Sequence, residues 1–174
     1  IFMHFPGFRV CSPMTPKEYK IAWEDFMKHD DPFICSEHRV SYQNAEELND
    51  TVKKDAAITL YAISSTRFET VKAAKMLEDD GLKCNLIHLM WLKPFEITEW
   101  IAKPLNRTKL GLVIDSGHEI AGAAQSIAYQ LSYLTGHRVK ALGLLDKTKC
   151  LCEPLQNAAP DAKRIYDTVK KMLE

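Results

Sequence analysis

From residue 57 to residue 142 the chain alternates strand-forming and helix-forming stretches, and that alternation admits very few architectures. Ala57-Ile58-Thr59-Leu60-Tyr61-Ala62-Ile63 is an unbroken strand-forming run that gives way to Ser64-Ser65-Thr66 and then to helical spacing, with Val71, Ala74 and Leu77 on one face. Thr66 and Glu69 have capping-box spacing, and Gly81 is placed to end this helix. Strand 83–89 precedes a short helix near 97–103 closed by Pro104, and strand 110–115 precedes helix 119–134 closed by Thr135-Gly136. Strand 138–142 precedes a last helix over 161–173, entered through Pro160-Asp161. Strands separated by helices of this length require right-handed crossovers and a mostly parallel sheet, covered by helices on both faces. The expectation is an α/β fold of three αβα layers. Such sheets bind ligands at the C-terminal ends of their strands.

Upstream, the same theme occurs once more. Phe8-Arg9-Val10-Cys11 reads as a short strand stopped by Ser12-Pro13. Thr15 then caps a helix with Pro16 at its first position and Glu18 spaced for a capping box. Ile21, Ala22, Phe26 and Met27 make its apolar stripe, it ends near His29-Asp30-Asp31-Pro32, and Phe33-Ile34-Cys35 follows as a strand. Residues 41–55 are polar without apolar periodicity and read as a linker or a loop with a turn of helix. The division is residues 1–40 as the end of one α/β domain, 41–55 as linker and 56–174 as a second domain. An opening Ile1 leaves a fragment or a processed product open.

Charge narrows the function. Lys+Arg and Asp+Glu both number 23, so bulk charge attracts neither nucleic acid nor an anionic membrane. No apolar run approaches bilayer length, and the opening residues lack the features of a signal peptide. Five scattered cysteines do not form a disulfide framework, so a reducing compartment is expected. Cys150-Leu151-Cys152 lacks the second pair that a zinc site needs.

Chemistry-bearing motifs are sparse. No Gly-rich phosphate loop follows the first strand, which disfavours a nucleotide-binding reading, and no serine or cysteine has a nucleophile's setting. His88 lies inside a strand and reads as a hydrogen-bonded core or sheet-face residue. Glu37-His38-Arg39 crowds the end of a strand, either as a surface salt-bridge cluster or as part of a site. Asp115-Ser116-Gly117-His118 occupies a strand's C-terminal end, where a functional and a structural role are both open.

Several segments together resemble one enzyme superfamily. His4-Phe5-Pro6-Gly7-Phe8-Arg9-Val10, Asp31-Pro32-Phe33-Ile34-Cys35-Ser36-Glu37-His38, Leu86-Ile87-His88-Leu89-Met90-Trp91-Leu92-Lys93-Pro94-Phe95, Asp115-Ser116-Gly117-His118 with Gly122, and the closing helix follow in order the motifs of transketolase-type thiamine-diphosphate enzymes. The resemblance is nearest to the beta subunit of 2-oxo acid dehydrogenases. It implies that residues 1–40 are the tail of a pyrimidine-binding domain and residues 56–174 a transketolase C-terminal domain. It further implies that the glutamate activating the cofactor lies upstream of Ile1, and that a partner subunit or domain holds the diphosphate and magnesium. The implied partners are a second beta copy, an alpha subunit or missing N-terminal half, and a lipoyl acyltransferase. The implied activity is oxidative decarboxylation in the cytoplasm or the mitochondrial matrix, with ketol transfer or a non-catalytic assembly role as alternatives.

For individual residues, the resemblance puts His4, Glu37, His38 and Arg39 beside a substrate channel. It puts Asp115, Ser116, Gly117 and His118 in a strand-end loop, and Phe26, His29 and Asp31 around a monovalent cation. Positions 88 and 90 depart from the family's acid and arginine, being His88 and Met90, and Ser116 replaces its second glutamate.

Overall fold

The computed structural model describes residues 1–147 and 157–174. Cys150 and Cys152 lie outside the described residues. Among these residues, seven strands form two sheets. The main sheet has the order β4-β3-β6-β7, from β3 (Ile58–Ile63), β4 (Cys84–Leu89), β6 (Leu110–His118) and β7 (Arg138–Leu144), and every pairing in it is parallel. All six residues of β3 are buried, as an inner strand covered on both faces must be. One face packs Leu60, Leu86, Leu112 and Ile114 under α2 (Thr66–Asp79) and α5 (Ala162–Leu173). The other packs Tyr61, Ile63, Ile87 and Val113 under α3 (Glu99–Thr108) and α4 (Ala123–Thr135). The three-layer arrangement is the expected one.

The small sheet has the order β2-β1-β5, from β1 (Arg9–Cys11), β2 (Phe33–Cys35) and β5 (Trp91–Lys93). β1 and β2 are parallel and flank α1 (Pro16–Phe26), while β5 runs antiparallel to β1. The strand expected over 83–89 forms as β4, and beyond it the chain leaves the main sheet at Met90 and enters the small one as β5, a strand the sequence did not disclose. The polar stretch 41–55 is pinned to the rest of the fold. Thr51 bridges Leu86, the Lys53 amide donates to Asn85 Oδ1 (2.8 Å), and the Lys17 amide donates to Glu47 (2.9 Å).

Local expectations fail where tertiary contacts outweigh them. Pro104 lies inside α3 instead of ending it. Burial of Pro104 and Leu105 against the sheet carries the helix on, and the Tyr61 hydroxyl donates to the Ile101 carbonyl (2.7 Å), a group whose helical partner is the Leu105 amide just past the proline. The Thr66–Glu69 capping box does not form. Ser65 is the N-cap, Thr66 Oγ1 donates to the Ile63 and Ile114 carbonyls, and Glu69 accepts from the Ala162 amide. α2 turns Thr66, Arg67, Thr70, Ala73 and Leu77 inward and leaves Val71 exposed. α1 buries only Ala22 of its expected stripe, while Ile21, Phe26 and Met27 face outward. α4 begins at Ala123 because β6 runs to His118 and Ala121 takes a left-handed conformation (φ 56°).

Candidate functional site

Residues from both sheets converge on a cleft of about 760 Å³ at the C-terminal edge of the main sheet. Its walls include His4, Ser36 and Glu37 from the small-sheet side, and Ser64, Asp115, Ser116, Gly117, His118 and Gly122 from the main sheet. His4 and Glu37 are thus brought to the same cleft as the whole Asp115–His118 segment. His38 and Arg39 are not among its walls. His38 is half-buried with its carbonyl accepting from Ser41 Oγ (2.7 Å), and exposed Arg39 opens a 3-10 turn.

The Asp115–His118 segment owes its shape to a bulge. Ile114 pairs with Leu142 and His118 with Leu144, so β6 spends two more residues than β7 over this interval. The extra length lifts Asp115-Ser116-Gly117 out of the ladder. Two glycines allow the fold to close over it. A Cβ on Gly122 would lie 1.9 Å from the His118 carbonyl oxygen, and one on Gly143 2.6 Å from the Gly117 carbonyl oxygen. The far end is tied down by the Glu119 amide, which donates to the Leu144 carbonyl (2.9 Å).

Burial raises the Asp115 carboxyl above its ordinary range, partly offset by backbone N–H groups of Gly117 and Ser116 that favour the anion. Asp115 is therefore a buried acid at the cleft wall whose anion is disfavoured by burial. Ser64, at the end of β3, holds a left-handed conformation (φ 54°) that a serine adopts only under constraint, and it lines the same cleft. Sequence reasoning missed Ser64, because nothing local to a Ser-Ser-Thr run specifies that angle. On the opposite side, Lys93 Nζ donates to the Met3 carbonyl (3.0 Å) and to the Phe5 carbonyl, fixing the 3-10 turn Phe2–His4 that carries His4.

A buried polar node joins the two sheets behind the cleft. Arg67, fully buried on α2, donates from both terminal nitrogens to Glu18 of α1 (2.7 and 2.6 Å) and from Nε to His88 Nδ1 (3.2 Å). The neutral His88 ring therefore carries its proton on Nε2, a buried atom with no hydrogen-bond partner among the described residues. Burial and, secondarily, the Arg67 charge push the His88 pKa down to about 3. Asp50 completes the node by accepting from the His88 amide (2.7 Å) and from Trp100 Nε1 (2.6 Å). The sequence hid this node, since Glu18 reads there only as a capping-box residue and nothing local marks Arg67 as its partner.

Phe26, His29 and Asp31 are not gathered into the cleft. All three are exposed at and beyond the end of α1, where His29 Nδ1 makes a 2.9 Å hydrogen bond with the Asp25 carbonyl. Among the described residues no group of His, Cys, Asp and Glu side chains is placed to hold a metal ion. The cleft's own donors do not fit a diphosphate with magnesium. Among the described residues its walls carry the acids Glu37 and Asp115 and no Lys or Arg, so nothing there neutralises the anion.

A family model described as the C-terminal domain of transketolase matches residues 49–162. The chain is 23% identical over 138 residues to the pyruvate dehydrogenase E1 component subunit beta of Rickettsia felis, covering 73% of this chain and 42% of that protein. It is 23% identical over 185 residues to the Bacillus subtilis subunit of the same name, covering 97% and 57%. The chain spans about half the length of the curated relatives it matches. Among solved structures, a split-gene transketolase described as an inactive beta4 tetramer superposes with a TM-score of 0.75 at 21% identity, over 98% of this chain and 58% of that one. A transketolase from Pichia stipitis superposes with a TM-score of 0.68 at 16% identity, over 99% and 26%. At these identities the superpositions establish the fold.

Proposed function

The chain belongs to the transketolase C-terminal domain family, and on that premise we propose that it forms the distal part of a thiamine-diphosphate-dependent 2-oxo acid dehydrogenase beta subunit. Similarity to the pyruvate dehydrogenase beta subunits supports the choice of reaction. In this reading residues 1–40 end a pyrimidine-binding domain, residues 41–55 link it to the next, and residues 56–174 are the C-terminal domain.

One observation carries the reading: a single cleft joins His4 and Glu37 to the Asp115–His118 bulge. That cleft is one wall of the substrate channel. When bound by the assembled enzyme, thiamine diphosphate supplies the carbanion chemistry. This chain's residues orient what passes. Asp115 presents a buried carboxyl at the wall, His4 and His118 offer exposed imidazoles at the mouth, and Glu37 stands at the edge of the cleft. The cofactor's diphosphate and its magnesium belong to an alpha subunit or an N-terminal half. The carbonyls of Phe26, His29 and Asp31 are hard oxygen donors of the kind a monovalent cation takes. Exposed Trp23, Phe26 and Met27 on α1, and the stacked Tyr129 and Tyr133 on α4 (6.0 Å between centroids), are surfaces for a second beta copy and for the lipoyl acyltransferase. The compartment is the cytoplasm or the mitochondrial matrix; among the described residues no helix is long and apolar enough to cross a membrane.

The test is steady-state kinetics of the assembled enzyme containing this chain, supplied with thiamine diphosphate, magnesium and a panel of 2-oxo acids and ketose phosphates. Turnover of a 2-oxo acid is expected. Glu37→Gln and His118→Ala should change its KM by about tenfold, the equivalent of one polar contact, with cofactor affinity unchanged. Turnover confined to ketose phosphates would move the protein to ketol transfer, and turnover of nothing would make it an assembly module.

A further inference from the structure

Cys11 and Cys35 are direct register partners on the neighbouring parallel strands β1 and β2. Parallel neighbours stand about 4.8 Å apart, inside the window of about 4.4–6.8 Å that a disulfide spans between Cα atoms. Both thiols are free, and each shifts the proton affinity of the other. The two differ sharply in access. Cys11 is fully buried, packed with Ala22 and Met90, whereas Cys35 is exposed at the border of the cleft. Backbone hydrogen bonds on either side hold the register: the Arg9 amide donates to the Pro32 carbonyl and the Ser36 amide to the Cys11 carbonyl, both 2.8 Å.

We propose that Cys11 and Cys35 form a redox-active dithiol, in which exposed Cys35 is the thiol that attacks a peroxide and buried Cys11 is the resolving thiol. The proposal is independent of the reaction assigned to the cleft. The neighbouring Cys11 thiol favours the Cys35 thiolate, against burial and the nearby Glu37 charge, while Cys35 and burial raise the Cys11 thiol. The Cys35 thiolate attacks one oxygen of hydrogen peroxide; an S–O bond forms, the O–O bond breaks, and the departing hydroxide takes up a proton to leave as water. The Cys11 sulfur then gives up its proton and attacks the Cys35 sulfur. An S–S bond forms, the S–O bond breaks and a second water leaves. Two thiols are oxidised to one disulfide while one peroxide is reduced to two waters. A dithiol reductant reverses the change. Because the partners already share a register, the bond forms without moving either strand, and a sulfinic acid at Cys35 is avoided.

The experiment is peptide mapping by mass spectrometry of the folded, full-length protein after hydrogen peroxide and alkylation of remaining thiols. Wild type should yield a Cys11–Cys35 linked peptide as its main oxidation product, lost on reduction. Cys11→Ser should abolish the linkage and raise sulfinic acid at Cys35 severalfold. Cys35→Ser should leave Cys11 reduced and resistant to alkylation, and Cys84→Ala should change neither result. Equal sulfinic acid at Cys35 in wild type and Cys11→Ser would overturn the proposal, as would a wild-type map in which both thiols stay reduced.

Discussion

The main sheet and the small sheet are built from the same strand–helix–strand material and end in opposite states. β3 buries every residue, and the helices beside it turn their apolar faces inward. β2 buries none of its three residues completely, and α1 leaves Trp23 at 63% and Phe26 at 43% exposure. The outer surface of the small sheet is an aromatic chain, Trp23–Phe26–Phe33–Trp91, whose neighbouring centroids lie 5.7 to 6.0 Å apart. The contrast teaches that the main sheet holds its own core, while the small one is held by its joints to the main sheet. Its outward apolar face has the character of an interface.

The largest expected effect breaks the joint. Arg67→Ala or Glu18→Ala strands a buried charge and should cost about 3–5 kcal/mol in chemical denaturation. The paired replacement Arg67→Met with Glu18→Leu should recover most of that loss, since apolar pairs commonly match buried ion pairs. If both single variants lie within about 0.5 kcal/mol of wild type, the two sheets are not held this way. The next comparison sets the two cores side by side. Leu112→Ala, at a fully buried position of β6, should cost about 2–5 kcal/mol. Phe26→Ala should cost far less in the free chain, and should instead weaken association in sedimentation equilibrium. A smaller effect belongs to acid. His88 stays neutral in the fold down to a pKa of about 3, while the unfolded chain takes up its proton near 6.5. Its contribution is therefore complete above the unfolded value and is lost as pH falls from 6.5 toward 3, reaching about 2 kcal/mol at pH 5. His88→Asn, which keeps an acceptor for Arg67 Nε, should flatten the melting temperature between pH 6.5 and 4; an unchanged slope would remove His88 from the acid response.

The same contrast explains what the sequence disclosed. The parallel sheet was legible because burial on both faces writes itself into continuous apolar runs such as 58–63 and 110–114. The cleft was legible as a place, since Asp115, Gly117 and His118 sit where such sheets collect ligands. Its contour was not. The bulge at 115–117 depends on the length of β7, and the angle at Ser64 on what surrounds it. The joint was hidden for a different reason: Arg67, Glu18 and His88 are far apart along the chain, and only the packed fold makes them partners. α1 misled in the opposite direction, because an apolar stripe reports burial without saying whether its own chain or another provides it.

The central claim is that this polypeptide lines a channel while other groups grip the cofactor. Calorimetric titration of thiamine diphosphate with magnesium, into the isolated 174-residue chain and into the assembled enzyme, addresses it directly. Heat of binding should appear only with the assembly. Saturable micromolar binding to the chain alone would contradict the account.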